Sequence, residues 1–144
     1  MANTDTIKLL KECDSGTKMA VSSIDEILED VTNPDLRALL TTSKEQHTTL
    51  GNELHSLLLN YASEEKDPAP IAKGMSWIKT NMKMTMDKSD ATVADLITDG
   101  CNMGIKSLHR YLNEYSAADK QSQDICNQII TIEETLAREL RCYL

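Results

Sequence analysis

"LTTSKEQHTTLGNELHSLLLNY", residues 40–61, is the stretch from which the fold class is read. Wound at 3.6 residues per turn, it gathers Leu40, Leu50, Leu54 and Leu57 on one face, and His47 falls among them. Upstream, "TNPDL" supplies Asn33 as a helix cap and Pro34 at the first helical position, where its missing N–H costs nothing. The full stripe is then Leu36, Leu40, Ser43, His47, Leu50, Leu54, Leu57 and Tyr61. A leucine stripe of this length needs other helices to cover it, and a histidine in its middle raises the question of what the imidazole faces.

The rest of the chain answers in kind, because apolar and polar residues never alternate for long and the punctuation is sparse, with five glycines and three prolines. Helix one is expected over about Asp5 to Val31, its seam running Ile7, Leu10, Asp14, Thr17, Val21, Ile24, Leu28 and Val31. "SEEKDPAP", residues 63–70, reads as a surface connection. A short helix follows at roughly Ile71 to Met86. Ser89 or Asp90 caps helix three, about Ala91 to Ala117, whose inward face carries Val93, Ile97, Gly100, Gly104, Leu108 and Tyr111 to Leu112. Helix four, about Lys120 to Tyr143, carries Ile125, Ile129, Glu133, Leu136, Leu140 and Tyr143. The expected fold is all-α: one domain over residues 1–144, an antiparallel four-helix bundle with the extra short helix in the crossover between helices two and three.

Composition narrows the partners. Acidic residues outnumber basic ones by 23 to 15, a net charge of −8, and no basic cluster offsets this locally, so neither nucleic acid nor an anionic membrane is an expected partner. The start, "MANTDTIKLLKECD", holds no long apolar run behind a basic segment, and no later stretch approaches the roughly eighteen apolar residues of a membrane span. The expected location is cytoplasmic. Cys13, Cys101, Cys126 and Cys142 form no C-x-x-C pair and read as free thiols.

"NPDLRALLTTSKEQHTTLGNELHSLL" and the terminal "IITIEETLARELRCYL" give the chain its resemblance to the bacterial ferritin-like proteins, nearest the uncharacterised and spore-coat-associated members. The resemblance implies a bacterial protein, spore- or stress-associated. It also implies a central di-metal site, with a carboxylate on each of helices one and three and a Glu-x-x-His on each of helices two and four. Most of that pattern is missing here. Lys44 stands three residues before His47, and Glu45, two before it, is turned about 200° around the helix. Neither Leu136 nor Ala137 can stand in for a histidine after Glu133 or Glu134. Helix three offers Met103 between two glycines. The site is degenerate, and a di-iron oxidase is not expected.

Four readings of His47 stay open. The first is a structural histidine hydrogen-bonded to a buried carboxylate or hydroxyl, as buried polar groups generally are. The second is a residual mononuclear metal site from His47, Glu133 and Asp14, which requires three ligands to converge from three helices. General acid–base chemistry is the third, and the sequence places no nucleophile or second acid beside the imidazole. The fourth is a small-ligand cavity, resting on Gly100 and Gly104.

"MSWIKTNMKMTM" gathers Met75, Met82, Met84 and Met86, but residues two apart on a helix diverge by about 200°, so packing or a greasy partner surface is the expected use. "SIDEILED" and "EETLAREL" read as solvated faces. The expected protein is no enzyme and carries no cofactor: a structural or interaction bundle, with a protein partner or a homodimer meeting its helix surfaces.

Overall fold

The computed structural model describes residues 3–61 and 87–144. They form α1 (Thr4–Leu28), α2 (Pro34–Asn60), α3 (Asp90–Glu114) and α4 (Lys120–Leu140), closed by a 3-10 turn over Arg141–Tyr143. The expected short helix at 71–86, its methionines included, lies outside the described residues.

Each helix begins where a side chain takes over an orphan backbone donor. Asn3 accepts from the Thr6 N–H at 2.8 Å, and Asn33 from those of Asp35 and Leu36 at 2.8 and 3.2 Å. Ser89 accepts from Thr92 at 3.2 Å and Asp119 from Ser122 at 2.8 Å. Asp90, the other expected cap of α3, does something different. Its carboxylate reaches across to accept from the Thr32 N–H at 2.9 Å, the Thr32 hydroxyl at 2.7 Å and the Asn33 N–H at 3.0 Å. These donors, the Thr32 N–H first, hold the Asp90 carboxyl below its ordinary range. They also take up the backbone beyond α1, which ends at Leu28 and not at the expected Val31. α3 and α4 likewise stop three residues short of expectation, at Glu114 and Leu140.

The ends fix the directions of the helices. Asn3 Nδ2 donates to the Ala117 carbonyl at 2.7 Å and the Asp119 N–H to Thr6 Oγ1 at 2.8 Å, so α1 starts beside the α3–α4 turn. Asp90 puts the start of α3 beside the α1–α2 turn. α1 and α4 therefore run one way and α2 and α3 the other, and α3 begins at the end of the bundle opposite that at which α2 finishes. α1 packs chiefly on α2 and α3 on α4, while α2 and α3 scarcely meet. The neighbours are antiparallel and the diagonals parallel.

The apolar core is in two parts. One end holds Ile27, Leu36, Leu40, Ile97, Leu136 and Leu140 among others, and the opposite end Leu9, Leu10, Leu54, Leu58, Leu108 and Ile129. Between them lies a waist of buried polar residues: Asp14 and Thr17 on α1, Ser43 and His47 on α2, Glu133 on α4. Interrupting the core in this way forgoes hydrophobic burial at each position, so the waist is where a function would be sought.

The thiols divide by depth. Cys13, Cys101 and Cys126 are buried and Cys142 is exposed, all four unpaired by disulfides. Burial first, and the nearby Glu133 charge second, push the Cys101 thiol up to about 12. A hydrogen bond with Cys126, then burial, raises that of Cys13 well above its usual value. The same hydrogen bond lowers that of Cys126, which burial nevertheless keeps from solvent, so Ellman's reagent should titrate one thiol, Cys142, quickly in the native protein and all four in denaturant. Two or more fast thiols would contradict this packing.

Candidate functional site

Helix α2 brings His47 to the waist with its ring almost wholly buried, at 1% exposure. One turn back, the Ser43 carbonyl lies 2.8 Å from Nδ1. A carbonyl oxygen only accepts, so Nδ1 carries the hydrogen and donates it, which orients the ring and turns Nε2 the other way. There Nε2 stands 3.7 Å from Glu133 Oε1 of α4. That is close enough for an ion pair and too long for a hydrogen bond. Among the described residues, neither His47 Nε2 nor Glu133 Oε2 has a hydrogen-bond partner.

Glu133 owes its position to Gly104. A Cβ on Gly104 would fall on the carboxylate, 2.9 Å from Oε1 and 3.0 Å from Cδ, with Oε2 nearer still. The glycine of α3 thus makes the room into which the acid of α4 is folded. A similar close approach joins α1 to α2, where a Cβ on Gly51 would lie 3.3 Å from Thr17 Oγ1.

Of the three residues weighed as a residual metal site, two meet. His47 and Glu133 face each other, whereas Asp14 pairs with Lys18 on its own helix at 3.1 Å. Asp14 lines a groove between α1 and α2, Glu133 lines a cleft between α1 and α3, and His47 borders both. Among the described residues no group of three or more His, Cys, Asp or Glu could hold a metal ion. Lys44, in the place of the glutamate that a ferritin-type motif would have, pairs with Asp25 of α1.

The cleft has a volume of about 340 Å³. His47 and Glu133 contribute to its lining from α2 and α4, and α1 and α3 supply the walls. Gly100, Met103, Gly104 and Ser107 stand on α3, opposite Gly16, Met19, Ala20 and Ser23 on α1. Sequence reading found the small residues of α3 and missed those of α1. The signal was present, since 16, 19, 20 and 23 follow the three-four spacing of one helical face, but Gly16, Ala20 and Ser23 are small and uncharged and only Met19 is strongly apolar.

Gly16 and Gly100 differ from Gly104 in one respect. Among the described residues, a Cβ on either would meet nothing within 4 Å. Mid-helix glycine costs about 0.5–1 kcal/mol against alanine, so Gly100→Ala should raise stability by about that much, and a urea titration checks it. A loss would mean that α3 lies nearer its neighbour than this.

No protein-family model matches the chain, and no curated protein matches it. The fold has a solved counterpart. The crystal structure of a DUF305 fragment from Deinococcus radiodurans superposes with a TM-score of 0.76, over 98% of this chain and 95% of that one. At 11% identity the likeness establishes an all-helical four-helix domain and says nothing of a ligand. Among the described residues no helix is long and apolar enough to cross a membrane.

Proposed function

We propose that this chain is a ferritin-like bundle working as a non-catalytic structural or interaction protein. The observation that carries this is the make-up of the waist, which among the described residues holds a single imidazole–carboxylate pair where a ferritin-type centre needs four carboxylates and two histidines. The donor set does not fit two metals. Lys44 is engaged with Asp25, Leu136 is part of the apolar core, and Gly104 brings α3 no ligand at all. Antiparallel neighbours, parallel diagonals and a third helix starting at the far end from the second support the ferritin-like topology. With a net charge of −8, a protein partner or a second copy suits the helix surfaces better than nucleic acid or an anionic membrane does. An accessory role in a spore-forming or stress-responding bacterium agrees with the resemblance drawn from helices two and four.

Elemental analysis of untagged protein, together with an Fe(II) oxidation assay, tests the reading. Metal should fall well below one per chain and oxidation should match the buffer control. A fixed ratio of one metal per chain would replace it with the mononuclear reading, in which His47 and Glu133 gain Asp14 or a non-protein ligand. Stoichiometric iron oxidation would overturn it outright.

A further inference from the structure

The geometry points to the α1–α3 cleft as a binding site for a small organic ammonium, an amine with an apolar body. Three observations converge. The cleft is of the size that small-molecule sites begin at, about 340 Å³ against a usual range of roughly 300–1,000 Å³. Its depth carries acceptors in need of donors: Glu133, with 11% of its side chain still open, and His47 Nε2, buried and without a hydrogen bond. Its walls are held open by Gly16 and Gly100, where a side chain would touch nothing. Packing does not require those glycines, and each weakens its helix, so the empty space is the feature they maintain.

The chemistry of the occupant follows from the atoms that it would meet. The Nδ1–H of His47 is committed to the Ser43 carbonyl, so a neutral ring offers Nε2 as a lone pair beside the Glu133 carboxylate. A group bearing several N–H donors and a positive charge satisfies both. The two acceptors are 3.7 Å apart, so one ammonium nitrogen set to the cleft side of the line joining them can donate to both. An anion would meet Glu133 directly and is excluded. The body of the ligand would rest against Met19, Met103, Leu108 and Tyr111, of which Met103 is 54% exposed and stands free to fold over an apolar group. This proposal assumes the metal-free centre argued above.

The test uses 2-phenylethylamine as the probe, titrated calorimetrically into metal-free protein, with 2-phenylethanol and phenylacetate as neutral and anionic counterparts of the same shape. The amine should bind, and the alcohol should bind at least about tenfold more weakly, the difference that a charge-assisted hydrogen bond makes. Phenylacetate should not bind. Glu133→Gln should lower amine affinity by about tenfold or more while leaving the alcohol little changed. Gly100→Met, which fills the cleft from a position where a Cβ has room, should abolish binding of both while the protein stays folded by circular dichroism. Absence of amine binding, equal binding of the alcohol, or full affinity in Gly100→Met would each overturn the site. Metal analysis of the same samples separates failure here from failure of the metal-free reading.

Discussion

His47→Asp loses about 3–5 kcal/mol of stability, the cost of an uncompensated buried charge, and His47→Leu loses about 1–3 kcal/mol. The imidazole is 1% exposed and 3.7 Å from the Glu133 carboxylate. Aspartate would set a second acid against the first in the middle of the bundle, and one of the two would have to take up a proton to stay inside. Leucine fits the volume and joins the two apolar halves of the core. It leaves Glu133 without its imidazole, but that carboxylate keeps a partial opening to the cleft, which limits the penalty. Urea titrations with equal m-values should order the proteins as parent, then leucine, then aspartate. An aspartate variant as stable as the parent would place this side chain in water. Loss of a bound metal by two otherwise folded variants would instead favour the mononuclear reading.

Gly104→Ala destabilises by about 1–3 kcal/mol in the parent and stabilises by about 0.5–1 kcal/mol once Glu133 is alanine. In the parent the new methyl group runs into the carboxylate, 3.0 Å from Cδ, and must push it toward His47 or out of the waist. With the acid removed the obstruction is gone, and only the ordinary advantage of alanine over glycine in a helix remains. The change of sign is the measurement, read from a four-protein cycle of unfolding free energies. Equal losses in both backgrounds would show that the glycine is required by some other neighbour.

Helix two was legible almost residue by residue. Leu36, Leu40, Ser43, His47, Leu50 and Leu54 of the expected stripe are buried, while at its end Leu57 and Tyr61 are half-buried and Leu58, outside the stripe, is covered instead. That success has a local cause, since the period of a helix and the caps at its start depend on residues a few positions apart. Helix one was read less well. Ile7 and Leu28 were placed in the seam, yet Leu9, Cys13 and Ile27 are the residues fully covered. α1 touches each of the other three described helices, so its buried face is wider than one seam, and periodicity alone does not give that width.

The polar positions show the same division. From the sequence alone come four helices with a polar residue near the middle of three of them and glycines in the fourth. Helical spacing and cap chemistry suffice for that, as they do for finding the ferritin-type motif broken at Lys44 and Leu136. Which of those residues meet was decided by the rotation of each helix about its own axis and its contacts with helices a hundred residues away in sequence. Asp14 and Glu133 were alike on paper, and packing turned one toward Lys18 and α2 and folded the other over Gly104 beside His47. Gly100 and Gly104 were also alike, four residues apart on one face, and α4 covers the second while the first is left open to the cleft. A helix carries its stripe wherever it goes, but a site needs side chains from several helices, and their distances exist only once the whole bundle is packed.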